Sequence, residues 1–508
     1  MISKFLKSTV IIGVPCLGSL VFGGSALATP SSDEFLQWQA NTQQEFQSYL
    51  DENDRAFLSF LKQRWEEVDT SDGDIADDTP KPVEIPVAPP APLAPEPKTP
   101  DHNAPKPAPE PIVERVIPTP ALPDVPTTEN EPVTKPSNQP PILPPVGMST
   151  AIQFFGYRIN LPYTRAMAAS FVQRPTPETI AERWEALARS DYSDTVKRLE
   201  QWQNSLKLSD WASARLISQY AEQVAPDTRS QTLLAWFLMV KLGYDARLAY
   251  NNQLWLLLPA DDEVFNVNYF TLSGQRYYSL PIGNNAMVSG KIFTYGKQHE
   301  QAKNPIRFRS ADAFIATGDM SEKSLKFTLN NQVQVINIRY PAQQIAYLAS
   351  MPQLNLPRYP LTEMPAETRQ ELLQQLRPLL SGLSEEAAVN VLLNFVQTAF
   401  QYETDEQQFN EENYLFPLET LHYAASDCED RAALFSQLVH ELLGLPVVLL
   451  NYPGHVAAAV AFSKPVNGDQ WTSNNRTYTV TDPTYINARV GMTMPQFSKV
   501  TPKVVRIF

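Results

Sequence analysis

The sequence predicts an α+β protein: two globular parts behind an N-terminal helix and a proline-rich linker. Three observations lead there. At 508 residues the chain exceeds what one ordinary core accommodates. Roughly half of its 45 prolines fall between residues 80 and 145. And the order of helices followed by strands occurs twice in what remains.

The N-terminus comes first. Lys4 and Lys7 precede an apolar run from Ser8 to Phe22, which leads to the small-residue site Ala26-Leu27-Ala28. That layout predicts a secretory leader over residues 1–28, hence a periplasmic or extracellular protein. Cleavage there removes Cys16 and leaves Cys428 as the single cysteine of the mature chain. A lone cysteine cannot close an internal disulfide, so it is an inert buried thiol or a reactive one. No later stretch approaches the ~18 to 20 apolar residues of a membrane helix.

Residues 29–70 carry Trp38, Phe46, Leu50, Phe57, Leu61 and Trp65, mostly at steps of four and seven. This spacing predicts an amphipathic helix that must bury its stripe, by self-association or by docking. Its acidic character disfavours an anionic membrane. Residues 71–146 form the proline-rich linker, as in Val87-Ala88-Pro89-Pro90-Ala91-Pro92. Proline excludes helix and central strand there, so we expect a disordered spacer with polyproline II character, at ~3.1 Å per residue on the order of 200 Å long.

In the first globular part, residues 147–360, helical patterns occupy 177–188, 191–205, 209–224 and 230–242. Strand-like stretches follow at 248–258, 276–280, and 324–329 with 332–340, the last two turning at Asn330-Asn331. In the second part, residues 361–508, helices are expected at 366–380, 385–401 and 428–443, and strands at 447–450, 456–462 and 477–481.

Both parts contain a long apolar helix ending in Leu-Gly, at Leu242-Gly243 and again at Leu443-Gly444 before Leu445, with strands after it. Superposing the two glycines puts Asn475-Arg476-Thr477-Tyr478 within a residue of Gln275-Arg276-Tyr277-Tyr278. Two readings are open: an internal duplication, or the chance recurrence of a common helix-glycine-strand joint. Under duplication, Cys428 falls on Asp227, His455 near Leu254 and Asp482 near Ile282, so the first copy lacks the chemistry of the second.

That chemistry rests on three residues evenly spaced at 27-residue intervals, Cys428, His455 and Asp482. Ser426 and Glu429 read as a capping box that sets Cys428 in the first turn of a helix, where the dipole and free N–H groups favour a thiolate. His455 follows Tyr452-Pro453-Gly454 at a turn that opens a strand. Asp482 ends the next strand and can orient an imidazole. Nucleophile, base and orienter thus each sit at the end of a regular element. The anions Asp427, Glu429 and Asp430 are expected to serve the helix N-terminus.

The motifs Ser426-Asp427-Cys428-Glu429-Asp430-Arg431, Gly454-His455 and Asp482-Pro483-Thr484, with the lead-in Phe416-Pro417-Leu418-Glu419-Thr420-Leu421, resemble those of the transglutaminase-like superfamily, above all its bacterial exported members. The resemblance covers roughly residues 385–490. It implies a papain-like site geometry, with the cysteine on a helix packed against an antiparallel sheet that bears His and Asp. It also implies attack of Cys428 on a carboxamide, proton transfer by His455, and a thioester resolved by water or an amine. Ser426 stands where the family often has glycine. For the oxyanion donor, Tyr423 is a candidate.

The function expected is therefore an exported thiol enzyme acting on amide bonds of a protein or peptide substrate, hydrolytic by default. The alternatives are a cross-linking acyl transferase and a non-enzymatic envelope binding or assembly protein. No cofactor is called for. A zinc site built on Cys428, His455 and Asp482 lacks a fourth ligand. The net charge of -14 and pI near 5.0 exclude a nucleic-acid partner.

Overall fold

In the computed structural model the described residues are 52–69, 86–89, 147–283, 288, 290–308 and 314–507. The leader, residues 29–51 of the expected helix, and the linker apart from 86–89 lie outside them. The chain divides into two units, Met1–Ala56 and Phe57–Phe508. Of the first, only helical residues 52–56 are described; among the described residues, the strands and the other helices belong to the second. Among the described residues no helix is long and apolar enough to cross a membrane.

Helices and strands are segregated along the chain, as the α+β reading requires. Most expected helices appear with their caps. Thr176 and Ser209 each accept an N–H three residues on, opening Pro177–Ala188 and Asp210–Val224. Asp227 accepts the Ser230 N–H, opening Thr228–Lys241. The hairpin Met320–Leu329 with Gln332–Pro341 turns at Asn330 and Asn331, both at positive φ, where asparagine is tolerated.

The N-terminal helix is shorter than its spacing predicts. Helix ends at residue 61, and Glu66–Asp69 pairs as an edge strand with Lys291–Thr294. Phe57, Leu61 and Trp65 are buried. The Phe57 ring meets Trp184 at 4.9 Å, and Trp65 meets Tyr295 at 4.7 Å. The apolar stripe from Phe57 onward is thus spent on the middle of the same chain.

Five strands form the sheet of the C-terminal part, in the order Gln470–Ser473, Arg476–Thr481, His455–Val460, Val447–Tyr452, Lys503–Arg506, with every neighbour antiparallel. Leu449, Val456, Ala458 and Val460 join the buried cluster that includes Leu434, Phe435 and Leu438 of the helix Cys428–Leu443. Val448, Leu450, Ala457, Ala459 and Val480 belong to a second cluster with Tyr452, Met494 and Phe497. The sheet is therefore covered on both faces.

The middle part repeats this plan. Lys291–Thr294, Arg247–Tyr250 and Leu254–Leu257 are successive antiparallel neighbours. An antiparallel bridge from Leu258 to Tyr278 continues into the hairpin Tyr269–Leu272 with Gln275–Tyr278. Helix, strand hairpin, second hairpin and a returning strand thus come in the same chain order in both parts, but in the middle part the second hairpin is joined by a single bridge and Glu66–Asp69 lies beyond the returning strand. A single buried cluster runs through the two, from Trp184 and Trp236 to Phe395 and Phe435.

Candidate active site

The strand Val447–Tyr452 turns through Pro453 and Gly454 into His455–Val460, with Tyr452 and His455 as the closing pair. Gly454 has φ +75°, open to glycine and strained for other residues. The turn therefore fixes His455 as the first residue of its strand. The adjacent strand, Arg476–Thr481, places Thr481 opposite Ala458 and delivers Asp482 immediately afterwards.

The histidine and the aspartate meet. His455 Nε2 lies 2.9 Å from Asp482 Oδ2. A carboxylate only accepts, so Nε2 carries the hydrogen and donates it. Asp482 Oδ1 accepts the N–H groups of Thr484 at 2.9 Å and Tyr485 at 3.1 Å, and Gln397 Nε2 holds the Asp482 carbonyl at 3.0 Å. Aspartate is thereby locked from both sides. The His455 ring stacks on Phe497 at 5.0 Å and 13°.

Cys428 is the first residue of its helix. The Val456 N–H donates to its Sγ at 3.4 Å, and Sγ itself donates to Glu429 Oε2 at 3.0 Å. The Cys428 sulfur is also near enough to act on the charge of the His455 ring. Since Nε2 is taken by Asp482, Nδ1 is the nitrogen left for sulfur. Burial, the largest single influence, opposes a charged ring; Asp482 and then Cys428 outweigh it and push the His455 pKa up to about 10. Cys428, His455 and Asp482 are 1%, 1% and 2% exposed, so the three sit beneath the surface.

The helix cap differs from the expected one. Asp427 is the N-cap, and Asp430, not Glu429, reaches back to its N–H, at 3.3 Å. Ser426 instead accepts from Arg431 Nε at 3.2 Å. Arg431 is fully buried, donates to the carbonyls of Phe400 and Gln401, and lies over the Tyr402 ring.

The acidic residues form a cluster that the sequence pattern does not reveal. Asp405 and Glu412, from an irregular stretch, come up against Asp427, Glu429 and Asp430. Oxygens of Asp405, Asp427 and Asp430 lie within 4.8 Å of one another, and so do those of Asp405, Glu412 and Glu429. Neither oxygen of Asp427 has a hydrogen-bond partner, nor do Oε1 of Glu412 and of Glu429. Burial first, then the Asp427 charge, pushes Asp405 up to about 9 and Glu412 to about 8. The same two causes, in that order, raise Glu429 and Asp430 well above the ordinary range, while burial raises Asp427 to about 6. With only the Arg431 guanidinium to offset them, carboxylates this close must take up protons or a further cation. An all-oxygen set of this span suits a hard divalent ion of ~2.4 Å ligand distance, such as Ca²⁺.

Comparison with known proteins adds no relative: no family model and no curated protein matches the chain.

Of the remaining histidines, His422 bonds the Tyr340 hydroxyl through Nδ1 at 2.7 Å, and His440 sits in the last turn of the Cys428 helix. Tyr423 packs on Phe409 and His422. The aromatic next to the nucleophile is Tyr402, whose register partner is Ser426 and whose hydroxyl pKa is raised by burial and then by Cys428. Its signal in the sequence is faint: an aromatic in a two-residue strand, Gln401–Tyr402.

Proposed function

We propose that this protein is an exported thiol enzyme that cleaves amide bonds through a Cys428–His455–Asp482 triad, with the active-site organisation of the transglutaminase-like superfamily. One observation carries the proposal: a single imidazole hydrogen-bonds a locked aspartate through Nε2 and feels the charge of the only cysteine among the described residues. The setting supports it, since the cysteine opens a helix packed on an antiparallel sheet whose adjacent strands supply the histidine and the aspartate.

The chemistry runs in two halves. With its raised pKa the His455 ring already holds the thiol proton, so Sγ attacks as the thiolate of an imidazolium pair and bonds to the amide carbon, and the tetrahedral oxyanion collapses with cleavage of the C–N bond. The imidazolium gives its proton to the departing amine, leaving a thioester. Water then attacks while His455 again takes a proton, and the thiol leaves with it, releasing a carboxylic acid. Asp482 holds the ring and stabilises its charge throughout. The Val456 N–H already points at sulfur, and half-buried Tyr402 pairs with Ser426, two residues before the nucleophile. The leader over residues 1–28 would carry the enzyme out of the cytoplasm, where peptide substrates of the envelope or medium are met.

The test is alkylation. Iodoacetamide at pH 6 should label Cys428 stoichiometrically in the native chain and at least ~10-fold more slowly in His455→Ala; an inert Cys428 overturns the proposal. With an active preparation, release of peptide or ammonia from a Gln-containing protein without uptake of a fluorescent amine marks hydrolysis, and uptake marks transfer.

A further inference from the structure

Residues 86–89, Pro86-Val87-Ala88-Pro89, lie against the C-terminal part although the linker composition gives them no reason to fold. Val87 pairs in parallel with Ile486, and the Ala88 N–H donates to the Ile486 carbonyl at 2.8 Å. Asn487 Nδ2 reaches the Ala88 carbonyl at 3.5 Å. Ala88 is 1% exposed and belongs to the cluster of Tyr452, Tyr485, Met494 and Phe497, whereas Val87 is 65% exposed. One small side chain goes in, its neighbour points out, and backbone groups on both sides of Ala88 are paired.

From this we infer that the surface along Tyr485, Ile486 and Asn487 is a binding site for an extended peptide of the form apolar-Ala-Pro, with residues 87–89 of this chain as its resident ligand. The chemistry is that of strand addition to a short backbone ledge, combined with an aromatic-lined pocket for one side chain. Proline on either side removes competing N–H donors and stiffens the ligand, so less entropy is lost on docking. Ala88 is the largest group the pocket is seen to hold, which accounts for alanine rather than a bulkier residue before Pro89. The linker repeats the pattern at Leu93-Ala94-Pro95, so a second segment of the same chemistry lies six residues on.

The site sits close to the chemistry without being part of it. Ile486 follows Asp482 by four residues, and Tyr452 and Phe497 of the same cluster flank the His455 ring. A tethered ligand competes at an effective concentration of ~mM, so a free peptide reaches the pocket only when the resident one is disabled. Binding does not require the thiol, so the experiment is done in Cys428→Ala protein and stands apart from the proposed activity.

A fluorescein-labelled peptide of residues 85–92 is titrated into the full chain and into an Ala88→Asp/Ala94→Asp variant, with anisotropy as the readout. We expect at least ~10-fold tighter binding to the variant, and none by the peptide carrying Ala88→Asp. Failure of the unmodified peptide to bind the variant, or equal binding of both peptides, overturns the inference. A second measurement does not depend on that variant. Val87→Cys with Ile486→Cys, an exposed residue and its half-buried bridge partner, should close a disulfide under mild oxidation and abolish peptide binding. Absence of that disulfide also overturns it.

Discussion

At the scale of single residues the site is a balance between burial and charge. Asp482 accepts from His455, Thr484 and Tyr485, and its loss as an acceptor should be felt more in rate than in shape. Asp482→Asn presents an amide to Nε2 and disturbs the tautomer that points Nδ1 at sulfur. We expect Cys428 alkylation and any amidase turnover to fall by ~10² to 10⁴-fold with the far-UV spectrum unchanged, by the logic of an orienting carboxylate. The same pair predicts a pH signature. His455 is raised in the folded chain from 6.5 to about 10, so the stability it contributes is fully present below pH 6.5 and is lost as pH rises through about 10. Urea unfolding of wild type and Asp482→Asn should therefore diverge most near pH 6 and converge toward pH 10.5. Five carboxylates beside the helix start make a further prediction. If the unpartnered oxygens hold a hard cation, millimolar Ca²⁺ should raise the melting temperature by several degrees and EGTA should reverse it, ~2.7 kcal/mol being available at a hundredfold excess over Kd. Asp405→Asn with Asp427→Asn should erase the Ca²⁺ response; a response that persists in that variant places the ion elsewhere.

Regular elements explain why the triad is legible in the sequence and its surroundings are not. Each triad residue stands at a boundary that local chemistry marks: a capped helix start, a Pro-Gly turn, the end of an alternating strand. Such signals are short in range, so one sequence suffices. Asp405, Glu412 and Tyr402 come from a stretch of two-residue strand, five-residue helix and loop, where no period exists to read, and only tertiary packing brings them to Cys428. The edge strand Lys503–Arg506 is likewise four residues long and is defined by the neighbour it pairs with. Trp65 follows the helical spacing yet lies beyond the helix, because a step of four from Leu61 also suits a chain that folds back over an aromatic cluster. The turn at Gly454 offers a test at this scale. Gly454→Ala places a Cβ at φ +75°, which should cost ~1 kcal/mol in denaturant unfolding. Because His455 begins its strand there, alkylation of Cys428 should slow as well, and an unchanged rate would show that the turn does not set the ring.

Across the whole molecule, the two parts share one plan, a helix leading into antiparallel strands in the same chain order, and this is what a duplication would leave behind. Counted from the helix starts and strand ends, Thr228, Leu254 and Ser279 stand where the second part has Cys428, His455 and Asp482, so the cysteine, histidine and aspartate are not repeated at those positions. The long helix Thr228–Lys241 is buried almost all round, and its Trp236 packs on Trp184 at 4.6 Å, within the same continuous cluster that reaches Phe395 and the Cys428 helix. Each part keeps a smaller cluster of its own, but the shared one is by far the larger, so they should unfold together. Trp184→Ala removes a fully buried ring that also contacts Phe57 and Phe237, at an expected cost of ~3 to 5 kcal/mol. The readout is the urea midpoint followed twice, by tryptophan fluorescence, which reports chiefly on the middle part, and by exposure of Cys428 to a thiol reagent. In wild type the two midpoints should coincide, and in Trp184→Ala both should move down together. If fluorescence shifts while Cys428 stays protected to the wild-type midpoint, the triad part stands without its neighbour, and the shared cluster is contact without coupling.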